Sequence, residues 1–151
     1  MGSDFKLTTE LQKLDIDEQK TLKAAMEAVE MAYAPYSEYK VGAALLLENG
    51  EIVMGSNQEN AAYPSGICAE RSALFAYGST KKNTPIKILA IAAKDKEGNY
   101  AENCSPCGSC RQVMVEYESL QKLPYKVLFC YNGKIEVSES SSRLLPYPFH
   151  F

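Results

Sequence analysis

Five cysteines and one histidine occur in 151 residues, and three of those cysteines are spaced for chemistry. One segment reads Cys68-Ala69-Glu70 and another Pro106-Cys107-Gly108-Ser109-Cys110. The Cys107-x-x-Cys110 spacing falls at the start of a predicted helix, where free backbone N–H groups and the helix dipole favour thiolates. Cys68 begins a second predicted helix. Two helices that start from the same edge of a sheet bring three sulfurs together. Three thiolates with one open position are the ligand set of a catalytic zinc, whose fourth ligand is water. Borderline-soft sites of this kind favour zinc. Glu70, two residues beyond Cys68, is the candidate catalytic proton carrier. Three thiolates on a zinc dication leave excess negative charge, which weakens the pull on the bound water's proton. Arg71 and two helix N-termini are placed to withdraw it by hydrogen bonding to sulfur. The alternative for Arg71 is an ordinary surface arginine.

The rest of the composition excludes several chemistries. The only histidine is His150, beside the C-terminal end. A Ser-His-Asp triad, a Cys-His pair and an H-E-x-x-H zinc helix therefore lack material. The net charge is −3, and Lys81-Lys82 is the only adjacent basic pair. No basic stripe is present, so nucleic acid is not an expected partner. The longest apolar stretch, around VGAALLL, falls far short of the ~20 residues of a membrane span, so no membrane partner is expected. MGSDFKLTTE has no basic n-region and no apolar h-region, and Lys6 breaks a myristoylation pattern. A cytoplasmic location is expected, where clustered cysteines point to metal or catalysis before disulfides.

The elements that must position these residues follow from the pattern. Residues 1–14 are polar and weakly patterned and read as an N-terminal arm; 15–151 read as a single catalytic domain. A chain of this size buries roughly 68–70% of its unfolded surface. Asp15 and Glu18 form a D-x-x-E capping box for a helix from about 16 to 33, with Leu22, Met26, Val29 and Tyr33 at helical spacing. KVGAALLL (40–47) is a strand with Val41, Ala43, Leu45 and Leu47 on one face. Asn49-Gly50 signals a type I′ hairpin turn into EIVMGSN. A loop then leads to a helix near CAERSALFAYG, closed by Gly78. IKILAIAA (86–93) is a buried strand, and Cys107 to about Leu120 a helix. KVLFCY, the turn Asn132-Gly133 and KIEV form a last hairpin. The tail LLPYPFHF is not helical. The order αββαβαββ implies a mixed sheet with helices on its faces.

A metal ligand, one residue, then Glu, followed later by P-C-x-x-C, is the signature of zinc deaminases, here in its three-cysteine version. The chain resembles the small cytidine deaminases through AYAPYSEYKVGAALL, SNQENAAYPSGICAERSAL, SPCGSCRQV and LLPYPF, which span about residues 32–149. The resemblance implies an α/β, three-layer α-β-α cytidine deaminase-like fold with a mixed five-stranded sheet. It implies one zinc per chain on Cys68, Cys107 and Cys110, with Glu70 as proton shuttle. Asn57 and Glu59 match the pair that holds a ribose 3′-hydroxyl, although a polar loop alone also explains them. Ala69 matches a contact to the pyrimidine edge. Tyr39 stands where the family usually has a phenylalanine packed on the base; its hydroxyl needs water or a partner. Phe149 matches an aromatic that reaches a neighbouring subunit's site, and Ala61 and Tyr63 match contacts to a neighbour's ligand. A homotetramer is implied. Cys104 and Cys130 are left as bystanders, Cys130 as a small hydrophobe in a strand.

The function this implies is hydrolytic deamination of cytidine and deoxycytidine to uridine and deoxyuridine. Zinc-activated hydroxide attacks C4, and ammonia is released. One alternative is a deaminase of a related cytosine-containing small molecule, or of a nucleotide. Another is a non-catalytic module built on structural zinc, with Cys104 as a possible fourth ligand on spacing alone. Glu70 discriminates, because a structural site has no use for a carboxylate there.

Overall fold

The run KVGAALLL forms β1 (Lys40–Leu47), and its last six residues are all buried. A strand apolar at every position is one covered on both faces, so the single apolar face expected from its alternation is an underestimate. The structure, a computed structural model, describes residues 6–151. Along the chain come α1 (Leu7–Leu11), α2 (Ile16–Ala28), β1, β2 (Ile52–Ser56), α3 (Ala69–Thr80), β3 (Ile86–Lys94), α4 (Gly108–Gln121), β4 (Lys126–Tyr131) and β5 (Lys134–Ser138). The strands form one mixed sheet in the order β2-β1-β3-β4-β5. Among the described strands only β3 and β4 pair parallel, with α4 as the crossover between them.

Two glycines show how the layers stack. A Cβ on Gly42 would lie 2.2 Å from the carbonyl oxygen of Ala25 in α2. A Cβ on Gly55 would lie 2.4 Å from the amide of Ala73 in α3. Gly55 pairs with Ala43, the neighbour of Gly42, so the two glycines face opposite sides of the sheet. α2 therefore covers one face and α3 the other, and α4 packs beside α3. This is the expected three-layer α-β-α arrangement.

The topology also sets the site. β2 and β3 are each antiparallel to β1, so they run in the same direction and end at the same edge. α3 follows β2 and α4 follows β3. Both helices thus begin at one edge, with the start of β1 between them. Among the described residues no helix is long and apolar enough to cross a membrane.

Several local features differ from the sequence reading. Residues 1–5 lie outside the described residues, but 7–11 form a helix whose Leu7 and Leu11 are buried in the main core. That part of the polar arm is amphipathic and packs on the domain. α2 carries the expected capping box but ends at Ala28 and tightens into a 3-10 turn, Val29–Met31. The Asn49-Gly50 turn is not type I′, since only Gly50 has positive φ, 88°. Its amide bonds the carbonyl of Leu47, giving a type I turn followed by a left-handed glycine. α3 runs through Gly78 to Thr80. Gly78 is a packing residue: a Cβ there would sit 2.0 Å from the Tyr117 hydroxyl of α4.

The C-terminal segment is held by α4. Glu118 is buried and accepts bonds from Ser140 Oγ at 2.6 Å and from the Ser141 amide and hydroxyl at 2.7 and 2.8 Å. The Ser142 hydroxyl and, at 3.4 Å, the Tyr125 amide also donate to it. Burial pushes its carboxyl up, but the serine hydroxyls and the Ser141 amide outweigh that and hold it below its ordinary value. A carboxylate whose pKa is lowered by folding stabilises the fold above its unfolded pKa, and that contribution fades as pH falls through the folded value. Glu118→Gln should therefore lose about 2 kcal/mol of stability at pH 7, and the gap to the parent should close below about pH 4. Urea melts at both pH values check this; an equal gap at the two, or none at pH 7, would refute it.

Candidate active site

Cys68 caps the N-terminus of α3 and Cys107 that of α4, each in extended backbone conformation; Cys110 lies in the first turn of α4. Neither capping side chain bonds its own helix, so both sulfurs are available to a ligand. The Cys107 and Cys110 sulfurs are 3.5 Å apart, and those of Cys68 and Cys107 are 4.0 Å apart. All three lie within 4.8 Å of one another. Zinc bound tetrahedrally by thiolates at about 2.3 Å requires sulfurs roughly 3.8 Å apart, so this donor set fits. Cys104 is not in the cluster. Its sulfur donates to the Ile91 carbonyl at 3.7 Å and accepts the Cys130 amide at 3.4 Å, which removes it as a fourth ligand.

The electrostatics suit a dication. The Cys68 thiol is drawn down to about 5, first by a hydrogen bond from Cys110 and then by Arg71. Cys110 is pushed up by giving that bond and by burial. Arg71 Nη2 donates to Cys68 Sγ at 3.4 Å, and the sulfurs raise its own pKa in return. Its Nε is buried with no partner among the described residues. A guanidinium this close to sulfur offsets the negative charge of a three-thiolate cluster.

The cluster opens into a cleft of about 740 Å³. Glu70 lines it and is only 5% exposed. Burial raises its carboxyl to about 7, with the charge of Cys68 adding to the rise. Ala69, fully buried, also lines the cleft beside the cysteines. Glu70 is thus a carboxyl that exchanges protons easily near neutrality, placed next to three sulfurs.

At the other end of the cleft stand Asn57 and Glu59. Asn57 Oδ1 accepts the Val41 amide at 2.8 Å, and its Nδ2 donates to the Tyr39 carbonyl at 2.9 Å. The side chain extends the β1–β2 ladder and keeps one amide hydrogen for a ligand. Glu59 accepts the amides of Tyr36 and Ser37, both at 3.1 Å. Partial desolvation raises its carboxyl, but these amides outweigh it and hold it below its ordinary value. The pair therefore also anchors the loop before β1. Tyr39 is half-buried in the cleft wall, and its hydroxyl donates to the Asn103 carbonyl at 3.1 Å. Tyr63 lines the cleft, 77% exposed, in a T-shaped contact with the ring of Tyr36. Ala61 and Phe149 are exposed and do not line the cleft of their own chain.

Three contributors were not singled out from sequence. Asn103 lines the cleft beside Cys104, which the sequence reading leaves as a bystander. Arg111 bonds the carbonyls of Pro106 and Leu144 at 2.8 and 2.9 Å, tying the segment before Cys107 to the C-terminal region. Gln112 makes two 3.0 Å bonds with the backbone of Phe149. The side-chain–backbone bonds of Arg111 and Gln112 leave no periodic signal, and for Asn103 the only hint is its place just before the P-C-x-x-C motif.

The comparisons with known proteins agree with this geometry. The family model described as the cytidine and deoxycytidylate deaminase zinc-binding region matches residues 15–126. A cytidine deaminase from Sporosarcina psychrophila is 41% identical over 135 residues, 89% of this chain and 92% of its own. One from Halalkalibacterium halodurans is 44% identical over 102 residues, 67% and 72% of the two chains. The crystal structure of cytidine deaminase from Burkholderia pseudomallei matches with a TM-score of 0.73 at 37% identity, covering 90% of this chain and all of that one. That of the Mycobacterium tuberculosis enzyme matches with 0.67 at 32% identity, over 91% and 100%. With its zinc-fitting cysteine trio set beside a buried glutamate, the chain belongs to the cytidine and deoxycytidylate deaminase zinc-binding family.

Proposed function

We propose that this chain hydrolyses the C4 amino group of cytidine and deoxycytidine, giving uridine or deoxyuridine and ammonia. The observation that carries this reading is the buried Glu70 carboxyl at the wall of a cleft that is also lined by Cys68 and Cys107 of the Cys68, Cys107 and Cys110 cluster. Zinc on those three sulfurs supplies an acidified water there. Glu70 accepts a proton from the attacking water and passes it to N3 of the pyrimidine, which makes C4 electrophilic. The water's oxygen bonds C4, Glu70 carries that oxygen's remaining proton to the amine on C4, and the C4–N bond breaks to release ammonia. A carboxyl raised to about 7 suits both halves of that task. Arg71 draws charge from Cys68 and so keeps the site acidic enough to activate water.

The remaining residues bind and orient. Ala69 borders the base edge, Tyr39 packs its ring against the base, and Asn57 and Glu59 take the sugar hydroxyls. A homotetramer is part of the proposal, with Phe149, Ala61 and Tyr63 completing a neighbour's site. Tyr63, Phe149 and Phe151 are largely exposed on the single chain, and exposed aromatic rings of this kind support that reading. A cytoplasmic setting keeps such thiols reduced.

Nucleoside is favoured over nucleotide by the lining of the cleft. Among the described residues Arg71 is its only lysine or arginine, and it is engaged with Cys68. Glu59 places a carboxylate at the sugar end, where a phosphate would be repelled. A purely structural zinc module is disfavoured by the buried carboxyl beside the cysteines, for which a structural site has no use.

Two outcomes follow. Glu70→Gln should keep its zinc and still bind nucleoside, while turnover falls by about 10²–10⁴-fold; near-parental rates would sink the assignment. Ammonia release should be brisk on cytidine and deoxycytidine and weak on cytidine monophosphate. Equal rates on the monophosphate would overturn the specificity argument.

A further inference from the structure

Tyr39 is the residue before β1, at the edge where β2 and β3 also end. It therefore stands between the two halves of the cleft. Its carbonyl accepts Asn57 Nδ2 at 2.9 Å, which joins it to the sugar end. Its amide donates to Ser37 Oγ at 3.1 Å. Its hydroxyl reaches the other way, to the Asn103 carbonyl at 3.1 Å. Asn103 lies four residues before Cys107 in the segment that delivers that cysteine to the cluster.

The far side of this segment is anchored independently. Asn103 Oδ1 accepts the Asn132 amide at 2.9 Å, and the Cys104 amide donates to the Cys130 carbonyl at 2.9 Å. Both partners sit on β4 or its turn. On the near side, facing β1, the side-chain bond that reaches Asn103 is the one from Tyr39. Removing the hydroxyl frees that wall of the cleft while β4 still holds the other.

We propose that the Tyr39 hydroxyl is a positioning latch: by bonding the Asn103 carbonyl it fixes the spacing between the sugar-binding loop and the cysteine-bearing segment, and so sets affinity for the whole nucleoside. The latch rests on the deamination reading given above. Burial raises the tyrosine to about 12, so the hydroxyl keeps its proton and stays a donor. Substrate and transition state need the same spacing between sugar and metal ends. The loss is therefore one of uniform binding, which appears in KM with kcat preserved.

The test is Tyr39→Phe, which retains the ring. Steady-state kinetics on cytidine should show KM raised about 3–10-fold, the scale of one neutral hydrogen bond, with kcat within about two-fold. Zinc content should be unchanged. Amide hydrogen exchange should quicken across residues 101–107 and stay as in the parent across 126–131. Faster exchange with an unchanged KM would make the bond structural only and overturn the latch, as would no change in either. A fall in kcat with KM constant would overturn it too. A parent protein that binds zinc yet releases no ammonia from cytidine would overturn the deamination reading itself, and the latch with it.

Discussion

Three cysteine sulfurs 3.5–4.0 Å apart along two edges of a triangle repel one another as thiolates and need positive charge around them. The chain meets that constraint with backbone first. Two of the sulfurs stand at N-caps and the third in a first turn, where unpaired N–H groups and the positive ends of two helices converge. Arg71 adds a full charge against Cys68. The sheet exists in a form that allows this convergence. Because β2 and β3 run the same way on either side of β1, the helices that follow them start side by side.

The same edge accounts for the rest of the cleft. Glu70 comes one residue inside α3, so it faces the cluster and is buried by the packing that seats the helix on Gly55. Burial is what raises its carboxyl, and a raised carboxyl is what a proton carrier needs. Asn57 and Glu59 follow β2 directly, and Tyr39 immediately precedes β1. The cleft-lining Tyr39, Asn57, Glu59 and Glu70 and the cysteine cluster thus come from neighbouring element ends at one edge, and their separation is fixed by strand spacing. On the outer side of α4, Arg111, Gln112 and Glu118 hold the C-terminal segment to the helix that carries Cys107 and Cys110, so the tail and the metal ligands share one rigid support.

Most of the site was legible because its parts are local. Cys107 and Cys110 are a turn apart, Glu70 is two residues from Cys68, and the strand order brings the two segments together. What escaped was long-range or context-dependent. Tyr39 and Asn103 are 64 positions apart, and nothing in either segment marks the bond. Leu7 and Leu11 were lost in a polar stretch because a helix of five residues offers only one apolar repeat. The Asn-Gly signal worked once and failed once. At Asn132-Gly133 both residues have positive φ, 48° and 70°, because Tyr131 pairs directly with Lys134. At Asn49-Gly50 the last register pair is Leu46 with Ile52; the longer loop takes a different turn. Gly78 carried a helix-end signal, yet its role is to leave room for Tyr117. Composition at a position names the options, and the packing of a distant helix or the register of a ladder chooses among them.

Zinc bound at this edge would be held by Cys68, Cys107 and Cys110, with a water free to complete its shell. X-ray absorption at the zinc edge of the purified holoprotein reads that directly. Three sulfurs at about 2.3 Å and one oxygen at about 2.0 Å are expected. Four sulfurs, or a shell with fewer than three, would contradict it.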